Sequence, residues 1–190
     1  MRTATRADKN LVIDILYSAY AANDTLLETI RSGSGTGKRL RMLLDYACEH
    51  TFDTGKIYIS GNGLSAALIL FPETRTISLN SLLRDLKMLC WIAGWKKAMR
   101  ALSREKAIRK LLPHNGVYYI WFIGTISAAQ GKGSGTRLMQ DLIADCRTTN
   151  RTMYLEARIP ENVEWYRQCG FHTYHELRLG NRVWHCMKRS

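Results

Sequence analysis

Val117-Tyr-Tyr-Ile-Trp-Phe-Ile-Gly-Thr-Ile-Ser-Ala-Ala-Gln130-Gly-Lys-Gly-Ser-Gly135-Thr-Arg-Leu-Met-Gln-Asp-Leu-Ile-Ala-Asp-Cys146 is the stretch that decides the fold. Val117–Ser127 is dense in aromatic and β-branched residues and reads as a strand. Gly133–Thr149 follows as an amphipathic helix, with Leu138, Met139, Leu142, Ile143 and Cys146 at helical spacing. Gln130–Gly135 is the loop between them. Glycines there let consecutive backbone N–H groups approach a ligand closely. The helix that follows contributes its unpaired N–H groups and the positive end of its dipole. Together these make a seat for phosphate or pyrophosphate, and Lys132 adds a point charge. The plainer reading is a glycine-rich turn without a ligand.

Two other glycine loops lack that context. Ser32-Gly-Ser-Gly-Thr-Gly-Lys-Arg39 resembles a Walker loop, but Ser32 replaces its first glycine and Arg39 its final Ser or Thr. It also follows a helical segment where that motif needs a strand. Gly61-Asn-Gly63 lies between two strand patterns, Lys56–Ser60 and Leu64–Phe71, and the Asn-Gly pair predicts a two-residue hairpin turn.

Outward from these loops the chain alternates elements. Thr5–Ala22 predicts a helix with capping-box spacing at Thr5 and Asp8 and an apolar stripe of Leu11, Val12, Ile15, Leu16 and Ala19. Lys38–Glu49 predicts a second helix. Leu82–Leu112 is a long basic helical stretch in which Gly94 marks a kink. Thr152–Ala157 is a strand, Asn162–Cys169 a short helix ended by Gly170, and Phe171–Leu179 with Arg182–Met187 a final strand pair.

The 190 residues, 46% hydrophobic and 23% charged, fit one globular domain over 1–190 and exclude disordered or collagen-like classes. The longest apolar runs, Leu64–Phe71 and Met88–Trp95, are far short of the ~18–20 residues of a membrane span. No signal peptide is read in Met1–Asn10, so a cytoplasmic location is expected. Five widely spaced cysteines without a C-x-x-C pair argue against a disulfide framework and against a thiolate metal site. No metal is expected.

Gln130-x-x-Gly133-x-Gly135 resembles the R/Q-x-x-G-x-G/A motif of the GCN5-related N-acetyltransferases, the GNAT superfamily. Downstream, Asn162-x-x-x-Tyr166-x-x-x-Gly170-Phe171 resembles a second set that members carry in that order. The resemblance covers nearly the whole chain and is most specific over Tyr118–Phe171. Four positions depart from the usual pattern. Gln130 stands where Arg is commoner, and Ser134 replaces an apolar residue. Ser127 stands for Pro, and Thr125 for Val.

The resemblance implies an α/β fold with a mixed, mostly antiparallel sheet flanked by helices. Leu82–Leu112 departs from it: the segment is longer than a typical connection at this point and reads as a helical insertion, 82–112, between strands 3 and 4. It implies acetyl-CoA as cosubstrate and transfer of its acetyl group to an amine by direct attack on the thioester. Gln130, Gly131, Lys132, Gly133, Ser134, Gly135 and Thr136 would hold the pyrophosphate. Ile123, Gly124 and Thr125 would line the pantetheine arm and supply a backbone N–H to the oxyanion. Tyr166 would be the general acid that protonates the departing thiolate, the plain alternative being an aromatic residue that only packs. Asn162 would orient the pantetheine amide, or cap its helix after Pro160. Glu156 is the candidate base acting through water, against a solvated strand carboxylate.

The charge is the remaining signal. The chain carries a net +12, and Arg84 to Lys110 hold nine Lys or Arg against two acids. On a continuous helix Met88, Trp91, Ile92, Trp95, Met99 and Leu102 form one apolar stripe, with Lys97, Arg100 and Arg104 opposite. An ordinary packed helix with solvated cations explains this. A basic cover over the acceptor site, attracting an acidic substrate, explains it too, as does a helix lying on an anionic membrane surface. Small-molecule and peptide amines are the expected acceptors. The competing readings are a nucleic-acid-associated module on this scaffold, an acetyltransferase acting on charged RNA, and a CoA-binding sensor without catalysis.

Overall fold

The computed structural model describes residues 1–72, 92–180 and 182–190. Seven strands form one sheet in the order β1-β2-β3-β4-β5-β7-β6. These are β1 Arg2–Thr3, β2 Gly55–Ile59, β3 Ser65–Leu70, β4 Val117–Thr125, β5 Thr152–Ala157, β6 His172–Leu179 and β7 Arg182–Arg189. All neighbours pair antiparallel except β4 and β5, which are parallel. The helices are α1 Lys9–Tyr20, α2 Asp24–Leu27, α3 Thr36–Thr54, α4 Trp95–Leu111, α5 Ser134–Thr148 and α6 Pro160–Gln168. The expected mixed sheet, and a helical insertion between β3 and β4, are both present.

Strand alternation sends side chains to two cores. Ile57, Ile59 and Leu68 meet Val12, Leu16, Leu40 and Leu44 of α1 and α3 on one face. Tyr58, Ala67 and Ile69 meet Leu138, Leu142 and Tyr166 of α5 and α6 on the other. The capping box forms ahead of α1, with the Asp8 carboxylate accepting from the Thr5 N–H at 2.9 Å. The apolar stripe of α1 is turned by one position. Leu11 is exposed and Ile13 is buried, because α1 begins at Lys9 after a 3-10 turn that tightens its first residues.

β4 carries the two irregularities that shape the site. Leu68 pairs with Phe122 but Ile69 with Ile120, so Trp121 is an extra residue. Trp121 and Phe122 consequently both face the α1/α3 core, and the alternation shifts phase by one. On the other side, β4 pairs with β5 only from Val117↔Thr152 to Tyr119↔Tyr154. Beyond Tyr119 the two strands separate.

Two expectations need correction. The hairpin between β2 and β3 is not closed by a two-residue turn. Ser60 N–H donates to Ser65 at 2.9 Å, and Gly63 N–H returns to the Ser60 carbonyl with φ +70°. Asn62 adopts an ordinary turn conformation and only Gly63 is left-handed, so the loop is four residues long. The basic segment is not one continuous helix. Gly94, at φ 77° and ψ 153°, breaks it and starts α4. Its stripe is therefore reset. Ala98 and Ile108 are buried, whereas Trp95 and Met99 are 64% and 41% exposed. The part of that reading that falls on Leu82–Trp91, including Arg84 and Met88, lies outside the described residues, as does Asn181 of the last turn.

Candidate active site

Where β4 leaves β5, a cavity of about 1000 Å³ opens. Ile123, Gly124, Thr125, Gln130, Gly131, Gly133, Ser134, Gly135, Thr136, Asn162 and Tyr166 all line it. Two of the sequence-derived residues do not. The Lys132 ammonium is folded back and donates to the Ala128 carbonyl of the loop's own backbone at 2.8 Å. Glu156 lies deeper, on the α4 side of the sheet.

The glycine loop has the geometry of an anion cradle. Gly131 and Gly133 sit at φ +72° and +79°, and a Cβ on either would meet nothing within 4 Å. Backbone strain, not crowding, selects glycine there. Gly133, with no side chain to make a capping hydrogen bond, is the N-cap of α5, and the first residues of the helix, Ser134, Gly135 and Thr136, line the cavity. The residues present fit a diphosphate. Gly124 is glycine for a different reason: its Cβ would meet Ala19 Cβ at 2.7 Å, since α1 crosses there in contact with β4.

The departures from the family pattern explain one another. Ser134 Oγ lies 2.8 Å from Ser65 Oγ, which lies 2.8 Å from Thr125 Oγ1. Asn62 Nδ2 donates to Ser134 at 3.2 Å. A chain of hydroxyls thus replaces apolar packing beneath the loop, tying the β2–β3 hairpin to it. Ser127 is likewise engaged: its Oγ donates to the Ser18 carbonyl at 2.6 Å, and its N–H to Ser18 Oγ at 3.0 Å. This fixes the end of α1 against the loop.

Tyr166 is buried on α6 between Trp165 and Phe171, with ring centroids 4.8 and 5.8 Å away. Its hydroxyl makes no hydrogen bond among the described residues. Burial pushes its pKa well above the ordinary phenol value, with further rises from Tyr20, Cys169 and Glu156. The phenol is therefore held protonated. Asn162 makes no capping hydrogen bond. It is the third residue of α6, whose N-cap is Ile159, so the capping alternative is not realised.

Glu156 is not a solvated strand carboxylate. It accepts a very short hydrogen bond from the Tyr119 hydroxyl, while its Oε1 is buried without a partner among the described residues. Burial raises its pKa to about 7, and the Tyr119 bond and Arg104 only partly oppose this. Such a group takes and returns a proton at neutral pH.

Sequence reasoning missed the contribution of α1 and the chain after it. Ser18, Ala19, Tyr20, Ala22 and Asn23 line the cavity, as do Arg158, Ile159 and Trp165. The Tyr20 hydroxyl donates to the Ile123 carbonyl at 2.8 Å, across the strand that lost its partner. Burial raises its pKa to about 12. Tyr20 continues the apolar stripe of α1 one step past Ala19, which is the one signal the sequence held.

A split parallel pair with a glycine loop at its mouth, in a mixed, mostly antiparallel sheet flanked by helices, defines the α/β class of this chain. The sequence model described as the acetyltransferase (GNAT) family matches residues 83–171. Over that segment the chain is similar to the GNAT family. Solved structures agree on the fold. A protein described as histone acetyltransferase HPA2 and related acetyltransferase, from Corynebacterium glutamicum, is 23% identical with a TM-score of 0.72, over 99% of this chain and 93% of that one. Arylalkylamine N-acetyltransferase 2 from Aedes aegypti is 16% identical at TM-score 0.65, covering 98% and 95%. An N-acetyltransferase from Staphylococcus aureus is 16% identical at 0.57, covering 98% of each. No helix among the described residues is long and apolar enough to cross a membrane.

Proposed function

We propose that this chain is an acetyl-CoA-dependent N-acetyltransferase, with the whole of 1–190 acting as one domain. The observation that carries the reading is the convergence of the glycine cradle, the unpaired stretch of β4 and the Tyr166 hydroxyl on one cavity. Bound there, acetyl-CoA supplies the activated acyl group. The backbone N–H groups of Gly131 to Gly135 and the α5 dipole hold its diphosphate. The edge of β4 from Ile123 to Thr125, which β5 leaves unpaired, lies along its amide arm and offers it backbone N–H groups, the Ile123 and Thr125 carbonyls being held by Tyr20 and Gln130. An N–H on that edge faces the carbonyl oxygen and stabilises the charge that grows there. Asn162 stands on the opposite wall and orients the arm.

Glu156, with a pKa near neutrality, receives the proton of the incoming amine through water. Tyr166 gives its proton to the departing sulfur. The burial that raises the phenol pKa raises that of a thiolate in the same cavity, so the transfer stays close to balanced.

Release of free thiol from acetyl-CoA over a panel of amines tests the assignment. Tyr166→Phe should lower kcat by about 10²–10⁴. It should leave acetyl-CoA affinity and stability nearly unchanged, because the hydroxyl bonds to nothing among the described residues. Full turnover in Tyr166→Phe refutes the acid role. Absence of thermal stabilisation by saturating acetyl-CoA refutes the whole reading.

A further inference from the structure

A second cavity, of about 680 Å³, lies on the α4 side of the sheet. Its charged lining is Glu28, Lys97, Arg100, Arg104 and Arg182, and Trp184 forms an aromatic wall. It adjoins the first cavity. Arg158 lines the first, is ion-paired with Glu28 at 3.2 Å, and holds its guanidinium 5.9 Å from the Trp184 ring. Arg104 lines the second cavity, and its charge acts on Glu156.

Two of these cations are already engaged. Arg182 pairs with Glu28 at 2.9 Å, and Lys97 donates to the Ile30 carbonyl at 2.6 Å. Two are not. Arg100 has no ion-pair or hydrogen-bond partner among the described residues. Arg104 stacks on Trp184 at 4.6 Å, and its Nε is buried without an acceptor among the described residues. A buried guanidinium donor left unmatched is costly, and a planar anion is the group that matches its fork.

We propose that this cavity seats the acyl acceptor, and that the acceptor is an amine that also carries a carboxylate, bound by Arg104 and Arg100, with its apolar part against Trp184. The volume suits a molecule of amino-acid to dipeptide size. Met99 and Leu179 complete the apolar wall. Seated with its carboxylate on Arg104, the molecule turns its amine toward Glu156 and the split in the sheet. The inference rests on the acetyltransfer reading and names its substrate class.

The test is calorimetric titration of the full chain, with CoA present, using matched ligands. L-phenylalanine and phenethylamine differ only by the carboxylate. The amino acid should bind at least about tenfold more tightly, the size of one charge-assisted paired contact. Arg100→Gln, at an exposed position that does not bear on folding, should remove a large part of that preference. Arg104→Gln should abolish it, and Arg104→Lys should restore only some of it. Equal or tighter binding of phenethylamine overturns the proposal. So does the lack of saturable binding by the amino acid in a protein that does bind CoA. Failure to bind CoA or to release thiol is a separate result and counts against the acetyltransfer reading itself.

Discussion

Replacing Glu156 by Gln should make the protein more stable and nearly inactive, with both effects depending on pH. The wild-type carboxyl has an ordinary value of 4.5 and is raised to about 7 by burial. Below the lower value both folded and unfolded chains hold the proton, and the group costs nothing. As pH rises past it, the unfolded chain releases a proton that the folded chain still keeps. Stability therefore falls until the folded group ionises near 7, and the deficit is constant above that. The gap corresponds to about 3 kcal/mol. Gln keeps an acceptor for the Tyr119 hydroxyl but never ionises. Urea unfolding should show Glu156→Gln and wild type alike near about pH 4. By about pH 8 the variant should be ahead by roughly 2–3 kcal/mol, or about 2–4 °C in Tm for each of those. Thiol release near about pH 8 should drop by about 10²–10⁴, and the wild-type rate should climb through about pH 7. A stability difference that does not widen between the two pH values would refute the buried, raised carboxyl. Unchanged turnover would refute its role as base.

Two further substitutions probe the scaffold. Gly124→Ala places a methyl 2.7 Å from Ala19 Cβ and 3.2 Å from Leu16 Cδ2, so α1 must move. Urea unfolding should register a loss of about 1–3 kcal/mol, and calorimetry a weaker hold on acetyl-CoA, because the end of α1 lines the cavity. Ser134→Ala and Thr125→Val each orphan a hydroxyl of the Ser65 chain and should each cost about 1 kcal/mol or more. Combined, they restore apolar contact beneath the loop, so the double variant should lose less than the two single losses added together. Strict additivity in that cycle would show that the hydroxyls act independently.

The parts of the site that follow from local chain chemistry were legible. The strand, glycine loop and helix of 117–149 are specified by β-propensity, conformational freedom and apolar period, each acting within a few residues. Tyr166 and Asn162 came with them because an i, i+4 pair shares a helix face wherever the helix lies. What was not legible depends on neighbours distant in sequence. Nothing around Lys132 shows that its ammonium turns back to Ala128. Nothing around Glu156 shows that Tyr119 and α4 will bury it. Trp95 and Met99 look like core on a helical wheel, and only the break at Gly94 turns them outward. Thr125 and Ser134 stood as separate departures in the sequence, and only tertiary structure joins them through Ser65.

The short pairing of β4 with β5 also has a mechanical consequence. Hydrogen-bonded strands resist shear and bending together, and here that coupling spans only Val117 to Tyr119. Below it, the half of the sheet bearing β1 to β4 and the half bearing β5 to β7 share no backbone bonds. They meet like two pages joined by part of a spine. Such a notch lets the halves flex about the intact pairs without breaking any other strand contact. The compliance of the molecule is therefore concentrated at the place where a ligand would enter, while both outer margins of the sheet stay stiff.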